Sequence, residues 1–524
     1  SAFGSGNILI QAIGAGTDIT ANADIVSGSG NVSVLAGQSI VFTGTADILT
    51  SSGTAASSGS IDVVAGTGSI TQSVGSVFLS TGAAATARLL AGTSVTVGTI
   101  VLEDGKVSIT ATAGSISDAE VVSGANDADQ DITASALRLS AGTSIGESVD
   151  HLETTVVTLS AEARNGSIYL LEADGITIDD VGLSVNRVGS NGTTLTTTTD
   201  AAQSDIRTTG GNGNIVLRTT AGSITLNNGT APNDDTAISA NGTGNILIQA
   251  LGADTDITVN ADIVSGSGNV SVLAARSIVF TGTADIRTSS TAGTSGSIDV
   301  LAGSGSITQS ATSVFLSTGA SATARLLAAT SVTVGDIELS LGQVSITATA
   351  GAILDADADS STNDTDQDIT ASALRLFAGT GIAENVNHLE TTVVTLSARA
   401  GNGSIYVLEA DALIVDDVGL SVNRVASDAS TATGSSTDAV QSDIRTTGGN
   451  GHIVLRTTAG AITLNNGTAP GDDTALSANG TGNILIQALG AGTDITVNAD
   501  IVSGSGNVSV LAGQSIVFSD GADI

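Results

Sequence analysis

The sequence predicts an all-β protein: a parallel β-helix, or β-solenoid, with three short strands per turn. Three observations carry this expectation. The run Gly6-Asn7-Ile8-Leu9-Ile10-Gln11-Ala12 returns at residues 244–250 and again at 482–488, a repeat of 238 residues. Inside each repeat, short segments alternate apolar and polar residues and restart at a spacing of roughly 20 to 30 residues, as solenoid turns do. The composition is also that of strands and turns: 65 Gly, two Pro, no Cys, Met or Trp, and 41% apolar residues, mostly small or β-branched.

The first strand of a turn follows a Gly corner. Ile8 and Ile10, Val32 and Val34, Ile61 and Val63, Val107 and Ile109, and Ile215 and Leu217 form the apolar sets, with Ser33, Asp62 and Ser108 between them. That is a period of two with one buried face. The second strand begins at Asp18-Ile19, Ser39-Ile40, Ser69-Ile70, Ser94-Val95, Ser115-Ile116 and Ser144-Ile145, and the third at Asp24-Ile25 and Asp47-Ile48. About nine rungs fit one repeat, which at strand spacing makes it roughly 43 Å long and the chain roughly 95 Å. A right-handed coil is the expectation from crossover sterics.

The repeat divides the chain into residues 1–6 (the end of a preceding unit), 7–244, 245–482 and 483–524 (the start of a third unit), read as one continuous solenoid. Both ends fall inside the pattern, so the chain reads as a piece of a longer array. The copies differ in length at the stretch aligned with 51–58 and between Gly189 and Asp200. Neither stretch alternates, so both are expected to be loops leaving the coil, where an insertion preserves strand register. Asn214, Asn245 and Asn269 fall on successive predicted rungs. They suit either an axial amide ladder or a simple turn; His452 replaces the Asn214 equivalent.

Fifteen basic against 51 acidic residues, a formal net charge of −36, leave no cationic groove for nucleic acid and no basic patch for anionic lipid. No run of ~18 apolar residues is present, so direct membrane insertion is not expected. The absence of Cys excludes a disulfide scaffold.

The strings Ala134-Ser135-Ala136-Leu137-Arg138-Leu139 and Asn165-Gly166-Ser167-Ile168-Tyr169-Leu170 resemble the repeats of giant bacterial surface proteins of the filamentous-haemagglutinin adhesin type. The resemblance is one of style and extends over the whole chain. It implies a right-handed β-helix, export to the cell surface and a stalk role. The implied partners are other copies of the fibre, or cell-surface glycans and proteins.

No cofactor is required by this reading, but Ca²⁺ is a candidate ligand, because alternating carboxylates supply hard oxygens. The candidate ligands are Asp355, Asp357, Asp359, Asp364, Asp366 and Asp368, and in the first copy Asp127, Asp129 and Asp131, near Asp118 and Glu120. Ser360 stands where an EF-hand needs its turn Gly. Asp24 and Asp47, 23 residues apart, recur as Asp262 with Asp285. Stacked about 5 Å apart, such a pair needs a cation, a backbone donor or a proton. The plainer reading is a solvated loop for the first group and carboxylates accepting turn N–H groups for the second.

Catalysis is not expected. Tyr169 with Tyr406 and His151 with His388 recur at matching places, but no nucleophile and base pair by spacing. The paired arginines, Arg88 with Arg325, Arg138 with Arg375, Arg187 with Arg424, Arg207 with Arg445 and Arg218 with Arg456, are expected to bridge acids on neighbouring rungs, with binding of an acidic sugar as the alternative. The Thr-rich stretch 193–199 is not kept as a lattice in the second copy, which argues against an ice-binding face. The expected function is mechanical: an adhesin stalk, with a self-assembling filament or sheath as the alternative and a carbohydrate-active enzyme as the third possibility.

Overall fold

The computed structural model describes residues 1–51, 59–82, 84–120, 129–288, 296–357, 366–432, 434, 436–519 and 521–524. Among them there is no helix, and so none long and apolar enough to cross a membrane. The chain forms two compact units. One comprises Ser1–Gly252, Ala261–Ile263 and Ala426–Ser430; the other comprises Ala253–Asn260, Val264–Val425 and Thr431–Ile524. Each is an all-β coil of stacked parallel strands, as the alternation predicts.

In the first unit the opening turn is Ile8–Ala12, Ile19–Ala21 and Ile25–Ser27. Each strand pairs in parallel with its successor one turn on: Ile8 with Val32, Ile19 with Ile40, Ile25 with Ile48. The inward residues then stack on their own kind, and Val32, Val34, Ile40, Phe42 and Ile48 are fully buried. Full burial of one such side chain is worth about 1.5–3 kcal/mol, so the apolar columns dominate the stability of the coil.

Glycine is required where corners stack. A Cβ on Gly30 would lie 2.1 Å from the carbonyl oxygen of Gly6, and one on Gly59 would lie 1.9 Å from that of Gly30. These corners approach more closely than any side chain permits.

Strand register refines the expected rung count. From Ile8 the column runs through Val32, Ile61, Ala87, Val107, Leu137 and Leu159. The strand Leu152–Ala163 then passes it, through Ala161, to Ile206 and Ile238. That is eight turns. Ile246, the repeat-mate of Ile8, does not join this column. It stands on Ile215, Ile168 and Ile145, the column that begins at Ile19. One repeat therefore makes eight turns and one further side, an advance of about 40 Å at strand spacing.

The shift happens at Leu152–Ala163. Below, this strand pairs along its length with Ile132–Ala141. Above, its three parts pair with three different strands, Ile168–Glu172, Ile176–Ile178 and Ile206–Thr208. The corners of the coil are re-placed there. The second unit does the same at Leu389–Ala400.

A β-hairpin lies outside the coil of the first unit. Val181–Val188 pairs antiparallel with Leu195–Gln203. The length-variable stretch 189–200 is thus partly strand rather than a plain loop. The non-alternating Thr run hid this, because Thr196, Thr197 and Thr199 are exposed or half-exposed, while the buried alternation sits on the other strand in Val181, Leu183 and Val185. Its counterpart in the second unit is Val418–Val422 with Ser436–Gln441. The other length-variable stretch, at 51–58, lies mostly outside the described residues.

Candidate metal centre

Three acidic side chains converge at one corner of the first coil. Asp118 ends the strand Ile116–Asp118, and Asp131 precedes Ile132. Ile132 pairs with Thr154 one turn on, so Glu153 lies beside Asp131. The backbone N–H of Glu153 donates to Asp131 Oδ2 (2.9 Å), and that of Glu120 to Asp118 Oδ1 (3.0 Å). One carboxylate oxygen from each of Asp118, Asp131 and Glu153 lies within 4.8 Å of the others. Asp355, Asp368 and Glu390 repeat the triad in the second unit, with the Glu390 N–H donating to Asp368 Oδ2 (2.7 Å). Asn387 Nδ2 also donates to Asp355 Oδ2 (2.6 Å).

Burial decides the chemistry. Asp131 is 7% exposed and Glu153 1%; Asp368 and Glu390 are equally covered. Desolvation first, then the neighbouring Asp carboxyl, pushes Asp131 up to about 10. Asp368 is likewise raised to about 10, by burial and then by Asp355. Three carboxyls in this setting either share protons or share a cation, since like charges so close cannot all remain bare. Oxygen-only, anionic and compact, the set fits a hard divalent ion such as Ca²⁺ better than a soft one.

The sequence-predicted acids are thus sorted. Asp131 and Asp368 enter the triads, and Asp355 joins the second. Asp129 and Asp366 are exposed. Asp357 is pushed up to about 6, by burial and then by Asp366 beside it. Asp127, Asp359 and Asp364 lie outside the described residues. Glu153 and Glu390 were missed. Their signal was a spacing of 22 residues from Asp131 and Asp368, about one turn.

Asp24 and Asp47 cap the next turn instead of facing each other bare. Asp24 Oδ1 accepts the N–H of Asp47 (3.2 Å), and Asp47 Oδ1 accepts that of Val77 (2.8 Å). Asp285 accepts the N–H of Val314 (2.7 Å) and pairs with Arg287. Asp262 is buried in the first unit. The Asn positions work in the same way. Asn7 Oδ1 accepts the N–H of Asn31 (2.9 Å) and its amide (3.0 Å), and Asn214 Oδ1 accepts the N–H of Asn245 (2.8 Å). His452 keeps the pattern by offering Nδ1 to the N–H of Asn483 (2.9 Å). The requirement is an acceptor one turn below, not an amide as such.

Arg88, Arg187 and Arg207 and their repeat-mates meet acids, whereas Arg138 donates to the Ala201 carbonyl (3.2 Å) and Arg218 to the Gln249 side chain (3.0 Å). Arg88 donates to Asp62 Oδ1 through Nε (3.0 Å) and Nη2 (2.8 Å), and Arg187 from the hairpin donates to Asp62 Oδ2 (2.7 Å). Val188 N–H to Ser33 Oγ (2.9 Å), Ser108 Oγ to Asp200 (2.6 Å) and Gln203 Nε2 to the Leu139 carbonyl (2.9 Å) complete a polar seam under the hairpin. The second unit repeats it, with Arg325 and Arg424 on Asp299.

His151 and His388 stack against Tyr169 and Tyr406 at 5.7 and 5.6 Å between ring centres. Burial, and then Arg218 and Arg456 respectively, lowers both imidazoles to about 4. Glu172 and Glu409, also fully buried, are raised to about 7 by burial. Each accepts from a Thr hydroxyl, Thr154 or Thr391, and from backbone N–H groups. These groups are built into the coil wall. No family model matches the chain, and neither the curated proteins nor the solved structures contain a match.

Proposed function

We propose that this chain is a segment of an extracellular structural fibre, the stalk of a repetitive bacterial surface protein of the filamentous-haemagglutinin adhesin type. The observation that carries this reading is the internal destination of the polar chemistry. Asp24, Asp47, Asn7 and Asn214 accept backbone N–H groups of the next turn, and the arginines of the seam hold a hairpin against its own coil. Such groups stiffen a rod, and their near-verbatim copying lengthens it. No catalytic step is assigned to it. In this reading the acidic triads take Ca²⁺ from an extracellular medium and stiffen the wall further.

Electron microscopy of the native material tests the proposal. Rods of one defined length rooted in the cell envelope support a stalk. Filaments of indefinite length, with chain ends buried in contacts, replace it with a self-assembling fibre or sheath. Release of reducing sugar from acidic polysaccharides would replace it with an enzyme.

A further inference from the structure

The first unit contains, besides its coil, the five-residue segment Ala426–Ser430. This is a tight turn, with Ala426 N–H donating to the Ser430 carbonyl (2.9 Å) and Ala429 at φ 62°. Its carbonyls are gripped from the coil. Asn245 Nδ2 donates to the Ala429 carbonyl (3.0 Å), and His151 Nε2 lies 3.1 Å from that of Ser427. The outward-facing side chains of that coil region, Tyr169, Val216 and Leu247, are 7%, 0% and 1% exposed. The hairpin turn at Gly192, with φ 75°, is held alike, its carbonyl taking Asn7 Nδ2 (3.2 Å).

The equivalent outward residues of the second unit are Tyr406, Val454 and Leu485. They are half-buried and line a cavity of about 340 Å³ together with Asn385, His452 and Asn483. The aromatic–aliphatic floor and the Asn at its rim match the groove that grips Ala426–Ser430, but here the floor is open.

We propose that this groove is a docking site for the hairpin turn of a further copy of the 238-residue repeat, a turn of the Ala426–Ser430 kind. Asn483, the repeat-mate of Asn245 and Asn7, donates its side-chain amide to the turn carbonyl at the left-handed residue. Tyr406, Val454 and Leu485 are covered as Tyr169, Val216 and Leu247 are. A turn here adds a clasp between successive repeats that is independent of strand stacking, which resists shear and untwisting of a long rod. The inference rests on the fibre reading.

Tyrosine fluorescence reads the groove directly, because the chain has two Tyr and no Trp. With Tyr169→Phe, and with Phe also in place of the matching Tyr of the added repeat, Tyr406 is the sole emitter in both chains. The full chain is compared with the same chain extended in register by one further repeat. Acrylamide quenching of Tyr406 is expected to fall several-fold in the extended chain. It is expected to recover when the five turn residues of the added repeat are replaced by glycines. Unchanged quenching, with far-ultraviolet circular dichroism showing the added strands, overturns the docking site and leaves the fibre standing. An extension that adds no strand signal overturns the fibre reading together with the docking site.

Discussion

Asp62→Ala isolates what holds the hairpin to its coil. The Asp62 carboxylate is fully buried and accepts three charge-assisted hydrogen bonds, two from Arg88 and one from Arg187. Arg88 is itself 4% exposed at its side chain, and its other acidic neighbour, Asp200, stands 3.6 Å away. Removing Asp62 strands a buried guanidinium, which costs about 3–5 kcal/mol. Arg187 is 32% exposed, and its loss leaves Asp62 paired with Arg88. That loss removes one hydrogen bond to a charged group, about 1.5 kcal/mol. Repeat arrays open in segments, so a single unfolding free energy is the wrong measure. Amide hydrogen exchange across Val181–Gln203 and Ser60–Ala65 is the right one. At about 1.4 kcal/mol per factor of ten, Asp62→Ala speeds opening by roughly two to three and a half orders of magnitude. Arg187→Ala speeds it about tenfold. Equal effects from the two variants, or less than about a fivefold effect (~1 kcal/mol) from Asp62→Ala, would refute the buried-charge account.

Three further outcomes follow from the corner chemistry. Asp131 and Asp368 have folded values near 10, above their unfolded ones, so the stability they contribute is fully present below about pH 4 and is lost as pH rises through the folded value. Glu172, Glu409 and Asp205 have midpoints near 7 and finish titrating about one unit higher, and His151 and His388 oppose the trend only below 6.5, so the clean window is about pH 8–10. There, in chelator, the urea midpoint should fall with pH, and Asp131→Asn with Asp368→Asn should flatten the slope; a flat parent profile refutes this. Millimolar Ca²⁺ at pH 8 should raise the melting temperature of the parent and not of that double variant, and isothermal titration should give two sites per chain; no heat and no shift remove the cation. Gly59→Ala should cost about 1–3 kcal/mol in chemical denaturation, because its Cβ meets the Gly30 carbonyl oxygen at 1.9 Å; a neutral result means that the corner is looser than drawn.

The strands follow from residue order alone. Ile8, Ile10, Val32 and Val34 alternate because one face of each strand is buried, and a period of two has no other solution at this length. Gly6, Gly30 and Gly59 mark the corners, and at Gly30 and Gly59 only a residue without Cβ fits. The bridging role of Arg88 was legible because acids and bases recur on neighbouring turns. What the tertiary structure alone decided is which strand stacks on which. Leu152–Ala163 meets one strand below and three above, so Ile246 lands on the column of Ile19, a choice that depends on corner positions rather than alternation. That same stacking sets Glu153 beside Asp131, lays the hairpin across Asp62 and lets His452 serve where Asn214 does. Each is a contact between residues distant in the chain, set by the geometry of a closed coil, and local residue patterns carry no record of it.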